Sequence, residues 1–234
     1  MKMKTLVLGI GNLLWADEGF GIRCIEYMDA EYSFDDSVEL MDGGTQGIYL
    51  AHHVQEADNL IIFDAIDYGM YPGEKRVIRN DAIPNFMGCK KMSLHQTGFQ
   101  EVLSTAKLMG RYPSQLALIG VQPRLLDDFG GSLTPEVDEQ IVPCVEIALR
   151  FLKKWGVEYE HRGKKGSEEG LVAKELNKAK YESERPPEWI ARRVGDERVL
   201  ADKNYSLRDT PLYEGISNVK SVPVDGRKLF ERNE

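Results

Sequence analysis

The sequence predicts an α/β domain: a largely parallel sheet of about five strands with helices on both faces, followed by a charged C-terminal extension. Three observations carry this. Strand and helix signals alternate along the first two thirds of the chain, the pattern of βαβ units. The strand signals are short, nearly continuous apolar runs, as in strands buried on both faces. Near residue 161 the composition changes. Up to that point acidic side chains outnumber basic ones by ten, and beyond it basic outnumber acidic by two.

The first strand is predicted from Lys4 to Ile10, leading into a glycine-rich loop. Lys2 and Lys4 before an apolar run resemble the start of a secretory signal. However, Gly9, Gly11 and Asn12 interrupt the run and Asp17-Glu18 follow at once, so a strand is the better reading. Asp17 is placed as N-cap of the next helix, with Glu18 in its first turn. Gly19 and Gly21 in that turn each cost about 1 kcal/mol against alanine, which predicts a close approach by another backbone. Val38 to Met41 is the second strand, and a helix pattern follows Gln46. Asn59 to Phe63 is the third strand, Glu74 to Arg79 a strand nearer an edge, and Gln115 to Val121 another buried one. Gly98 to Met109 carries Phe99, Val102, Leu103 and Ala106 at i, i+3, i+4 and i+7, with Gly110 as its stop. A last helix is predicted from Thr134, as N-cap, to Trp155, with Pro135 in its first turn and Lys153-Lys154 at its negative end. A Gly- and charge-rich linker around residues 161–170 then divides the chain into a domain, residues 1–161, and an extension, residues 162–234.

Composition excludes several classes. A net charge of −8 argues against a nucleic-acid or anionic-membrane partner held by bulk electrostatics. Cys24, Cys89 and Cys144 are far apart, odd in number and without a C-x-x-C spacing, which reads as buried, reduced thiols in a cytoplasmic protein. No apolar run approaches the roughly 18 residues of a membrane span.

In open α/β sheets, ligands bind outside the carboxyl ends of the strands, and four segments place unusual residues there. After strand one, Gly9-x-Gly11 could open a dinucleotide loop, but the third glycine of that fingerprint is Leu14. After strand two, Asp42-Gly43-Gly44-Thr45 either reverses the chain or holds an extended peptide close to the backbone. After strand three, Asp64 follows four apolar residues, and a buried carboxylate is costly unless paired, hydrogen-bonded or metal-bound. His95 stands near a helix N-terminus, which favours a neutral imidazole able to act as ligand or base. Glu18, Asp64 and His95 together suit a divalent first-row metal with open coordination positions, or acid–base work without a metal. Spacing does not choose between them. No Ser or Cys nucleophile with a neighbouring base is evident.

The motifs Gly9-x-Gly11-Asn12-x-Leu14-x-x-Asp17-Glu18-Gly19-x-Gly21, Asp42-Gly43-Gly44-Thr45-x-Gly47 and Ser93-x-His95-Gln96 resemble those of the hydrogenase maturation endopeptidases, over about residues 4–158. The resemblance implies a three-layer α/β/α fold and one target peptide bond, near the C-terminus of a [NiFe]-hydrogenase large-subunit precursor. It implies that Glu18, Asp64 and His95 recognise nickel already carried by that precursor, with no tightly bound cofactor of the protein's own. By the same resemblance Asp42 supports substrate binding or cleavage, with Gly43, Gly44 and Thr45 alongside the peptide. The shorter family members end near residue 160, so the extension is a candidate contact for the hydrogenase or a further maturation factor. Within it, Lys174 to Glu182 reads as a helix, residues 186–194 as a docking segment, and residues 211–213 and 222–224 as extended. Two other readings remain open: a nickel-sensing checkpoint protein that does not cut, and a small-molecule metallohydrolase.

Overall fold

A computed structural model of the chain describes residues 2–80, 82–83, 94–126, 128–162 and 170–185, together with two short strands further on. Its strands, in chain order, are β1 (Thr5–Ile10), β2 (Tyr32–Phe34), β3 (Val38–Gly44), β4 (Asn59–Ala65), β5 (Lys75–Arg79), β6 (Gln115–Val121) and β7 (Tyr159–His161). The helices are α1 (Phe20–Glu31), α2 (Ala51–Glu56), α3 (Leu94–Leu108), α4 (Pro135–Asp138), α5 (Ile141–Lys154) and α6 (Lys178–Glu184), with 3-10 turns at Ala16–Gly19 and Gly47–Leu50.

Five strands form one sheet in the order β3-β1-β4-β6-β5, parallel except for β5 at the edge. The apolar runs dictate this arrangement. Every residue of β1 and β4 is buried, which requires cover on both faces, whereas edge strand β5 leaves Lys75 and Arg76 in solvent. Leu8, Ile62 and Leu118 share one face with Phe99, Val102 and Leu103 of α3 and Val54 of α2. Val7, Ile61, Phe63 and Ile119 share the other with Phe20 and Met28 of α1 and Val145 and Leu152 of α5. Each such fully buried side chain contributes about 1.5–3 kcal/mol, and the result is three layers.

The edge position read for Glu74 to Arg79 agrees with β5. The turn that closes helix α3 is made by Gly110 (φ +68°), beyond which Arg111 N–H reaches back to Ala106 O at 3.0 Å. The helix expected to run unbroken from Thr134 to Trp155 is two helices. Pro143 has no N–H to give the Glu139 carbonyl and its ring crowds it, so the ladder restarts at Ile141 with Pro143 in the first turn of α5. The antiparallel ribbon of β2 with β7, where the Tyr32 ring meets Tyr159 edge-on at 5.7 Å, gave no sequence signal. Cys24 and Cys144 are buried and free, and Cys89 lies outside the described residues. No helix among the described residues is long and apolar enough to cross a membrane.

Two compact units are distinguished, residues 1–185 and 186–234. In the second, the described residues form an antiparallel pair, β8 (Val219–Ser221) with β9 (Phe230–Arg232). Residues 186–194, 211–213 and 222–224 lie outside the described residues.

Candidate active site

From β1 the chain passes to β3 on one side and then to β4 on the other. In open α/β sheets such a reversal marks where ligands bind, here outside the carboxyl ends of β1 and β4. Glu18 comes from the 3-10 turn after β1, and Asp64 is the penultimate residue of β4. Helix α3 packs against the turn that follows β3 and runs away towards β6, so the backbone of His95, in its first turn, lies at the same edge. The His95 side chain lies outside the described residues.

Glycines bring the Glu18 turn onto the strands. A Cβ on Gly21 would fall 2.3 Å from the carbonyl oxygens of both Ile10 and Phe63, and one on Gly9 would fall 2.4 Å from Gly21 O. Gly11, at φ +139°, would place a Cβ 1.8 Å from Glu18 O. The close backbone approach read from Gly19 and Gly21 is therefore present, and the approaching backbones are the ends of β1 and β4. Glu18 itself is half-buried, and burial pushes its carboxyl above the usual range.

Asp64 is 2% exposed and alternates with Leu60 and Ile62, so its side chain belongs to the α3 face. Its register partner on β6 is Gly120, and the Tyr68 hydroxyl occupies the space where a Gly120 side chain would stand, 1.9 Å from its Cβ position. Burial, followed by the negative charge of Asp64, pushes the Tyr68 phenol well above its ordinary pKa. Gln122 secures the loop between them. Its Oε1 accepts from Tyr68 N (2.7 Å) and Met70 N (3.1 Å), and its Nε2 donates to Asp67 Oδ1 (3.1 Å).

Asp42 pairs in register with Gly9 and so belongs to the opposite, α1 face of the sheet. Its Oδ1 accepts from Gly44 N at 2.8 Å, which supports the positive φ (+46°) of Gly44. Burial pushes the Asp42 carboxyl up, opposed by that N–H and by the positive charge of Arg23. The three residues Asp42, Gly43 and Gly44 complete β3, which runs on through them, and the turn follows at Gly43–Gln46. Gly43 is buried against Leu8 and Thr45 is exposed beyond it. The other histidines stand beside carboxylates: His52 by Glu56 (3.4 Å), His53 by Glu39 (3.3 Å) and His161 by Glu31 (3.2 Å). Among the described residues, no group of three or more His, Cys, Asp or Glu side chains is placed to hold a metal ion.

A family model described as hydrogenase maturation protease matches residues 22–151. The hydrogenase expression/formation protein HupM of Azotobacter chroococcum mcd 1 is 57% identical over 85% of this chain and 94% of its own. The chain belongs to the hydrogenase maturation protease family. The structure of the hydrogenase maturating endopeptidase HybD from E. coli, 39% identical, superposes with a TM-score of 0.65 over 68% of this chain and 98% of that one. The [NiFe] hydrogenase maturation protease HybD from Thermococcus kodakarensis, 25% identical, covers 64% of this chain and 99% of its own, with a TM-score of 0.53. A match over 85% of this chain takes in residues 170–185 wherever it begins, so the likeness runs well past residue 158.

This hydrogenase maturation protease uses Asp17 in a way the sequence did not disclose. Asp17 makes no cap bond to the helix that follows it. Fully buried, it instead accepts from Arg124 N and Leu125 N (both 2.9 Å) on one oxygen, and from Thr134 N (2.7 Å) on the other. The Thr134 hydroxyl turns to Asp17 as well, at 3.0 Å, rather than capping α4. These partners lie more than a hundred residues away in the chain, beyond any local pattern. They also stabilise Ala16 at φ +42°, a conformation costly for a residue with a Cβ. Asp17→Asn turns one acceptor into a donor facing N–H groups. We expect a loss of about 2–4 kcal/mol in urea unfolding, since buried donors are left unpaired. A loss under about 0.5 kcal/mol would show that the 124–134 loop does not depend on this carboxylate.

Proposed function

We propose that this endopeptidase, acting in the cytoplasm, removes a C-terminal peptide from the large-subunit precursor of a [NiFe]-hydrogenase once nickel is in place. What supports this best is that the Glu18 turn, the end of β4 with Asp64 and the backbone of the first turn of α3 with His95 lie at the same edge of the sheet. Two carboxylates and an imidazole suit a nickel ion presented by the substrate. Nickel polarises a carbonyl or lowers the pKa of a water.

In this reading the chain's own residues bind and orient. Glu18, Asp64 and His95 take the open positions of the precursor's nickel and set the scissile bond in register with it. Gly43 and Gly44 let the peptide approach β3, Thr45 lies beside it, and Asp42 assists from the α1 face. A carboxylate of this set takes the proton from the attacking water and returns it to the amine that leaves as the C–N bond breaks. The cut then lets the shortened C-terminus close over the metal.

The test is incubation of candidate precursors, with and without nickel, followed by intact mass. Loss of a single C-terminal peptide from the nickel-loaded form alone is the expected result. Equal cutting of both forms would remove nickel recognition from the proposal. No cutting of any precursor would favour a binding role.

A further inference from the structure

The chain beyond the family's short form does not start as a free tail. We infer that residues 170–185 are a strap that holds the Glu18 turn and Arg23 in working position, so that this part of the extension belongs to the proteolytic machinery. The inference rests on the proposed cleavage activity for one arm of its test only.

At the near end Val172 and Leu176, four residues apart, cover Leu13 and Ile22. Leu13 belongs to the loop that carries Glu18, and a Cβ on Gly19 would stand 3.3 Å from Leu13 Cα. Ile22 lies in the first turn of α1. The strap therefore presses on both sides of Glu18.

One residue on, Arg23 is only 3% exposed. A buried guanidinium is costly unless its donors are satisfied. Its Nη1 donates to Glu26 Oε2 at 2.6 Å and to the strap's Leu176 carbonyl at 2.7 Å, and the Tyr181 ring stands 5.7 Å away. Without the strap that charge would lose a carbonyl acceptor and its cover. Arg23 is also the cation whose field reaches Asp42.

Glu26 returns the favour. Its Oε1 accepts from Asn177 Nδ2 (2.7 Å) and from Lys178 N (2.9 Å), the first N–H of α6. Asn177, the N-cap position of α6, makes no cap bond of its own. The seven-residue α6 is too short to persist alone, so a carboxylate from α1 supplies its cap. At the far end Lys178 Nζ pairs with Asp138 (2.6 Å), Ser132 Oγ donates to Glu182 (2.6 Å) and Tyr181 Oη donates to Gly131 O (3.4 Å). This landing segment flanks Thr134 in the chain, and Thr134 gives its N–H and hydroxyl to Asp17. The strap and Asp17 thus join the same two stretches of chain around Glu18.

The test uses the full chain with Val172→Asp, which sets a carboxylate against Leu13 and Ile22, and Val172→Ile as the conservative partner. Hydrogen exchange and cleavage of a nickel-loaded precursor are read together. We expect Val172→Asp to raise exchange in residues 170–185 and also in 11–23, and to lower kcat about tenfold or more with little change in KM, because small misplacements of reacting groups are expensive. Val172→Ile should leave both at their wild-type values. Faster exchange confined to 170–185, with cleavage unchanged, would overturn the inference. If Val172→Asp does not fold, the milder Val172→Ala and Leu176→Ala serve, with the same two segments expected to loosen together. If the wild-type chain cuts no precursor, the functional proposal fails and the exchange arm alone decides the strap.

Discussion

Gly21→Ala should destabilise the protein by more than about 3 kcal/mol, although alanine is the better helix former by about 1 kcal/mol. Gly21 is the second residue of α1, and the atoms it would strike are main-chain: Ile10 O and Phe63 O at 2.3 Å and Ile10 N at 2.8 Å. No rotamer change can make room, so the helix must lift off the sheet. Phe20, Cys24, Ile25 and Met28 of the same helix are fully buried, and all of them move with it. Overpacking a core commonly costs about 1–3 kcal/mol, and an obstruction made of two strand ends lies at or beyond the top of that range. For a chain of this size the melting temperature should fall by roughly 10 °C. Gly19→Ala is the internal comparison. Its nearest neighbours, Leu13 Cα and Cδ2 at 3.3 Å, belong to a loop that can yield by a few tenths of an ångström, so its effect should be clearly smaller. Equal melting temperatures for the two variants would mean that α1 does not sit this close to β1 and β4.

Local sequence carries some of this structure and is blind to the rest, for identifiable reasons. Leu6-Val7-Leu8 and Leu60-Ile61-Ile62-Phe63 announce central strands because both faces of such strands need apolar side chains. The paired glycines announced a close contact because helices otherwise avoid them. Glu18 and Asp64 could be placed at one edge because a parallel sheet puts all its strand ends there. What local sequence cannot show is long-range polar bonding. Asp17 before a helix looks like a cap, and only the fold reveals that its acceptors are spent on residues 124–134. Asp42 and Asp64 look equivalent as carboxylates after strands, yet register with Gly9 and Gly120 sends them to opposite faces. The strap is hidden for a further reason. Lys174, Glu175, Lys178, Lys180 and Glu182 make it read as a solvated helix, and the apolar side chains it sets against Leu13 and Ile22 are Val172 and Leu176, too few for a pattern. It docks because a buried arginine and a glutamate on α1 need the acceptor and donors it brings.

Glu18→Gln, Asp64→Asn and His95→Ala should each lower the rate of nickel-dependent precursor cleavage by more than about 100-fold. Losing a group that only supports a metal ligand already costs about 10–100-fold in metal affinity or activity, and in the proposed arrangement these three touch the nickel directly. The amide variants keep shape and burial while removing the charge that a cation requires. They therefore separate recognition from folding, and their melting temperatures are the control. Burial pushes the Glu18 carboxyl above its usual range, and an arriving cation would oppose that shift by exchanging with the proton. Glu18→Gln abolishes that exchange and should weaken binding of nickel-loaded precursor while leaving any binding of the nickel-free form unchanged. His52→Ala, on the exposed side of α2 beside Glu56, is the matched histidine control and should cut at the wild-type rate. If Asp64→Asn and His95→Ala lose cleavage but Glu18→Gln does not, the metal-facing set is smaller than proposed, and Glu18 serves the turn rather than the nickel. If all three variants cut normally, recognition of the metal lies elsewhere on the protein, and the edge outside β1 and β4 holds only peptide.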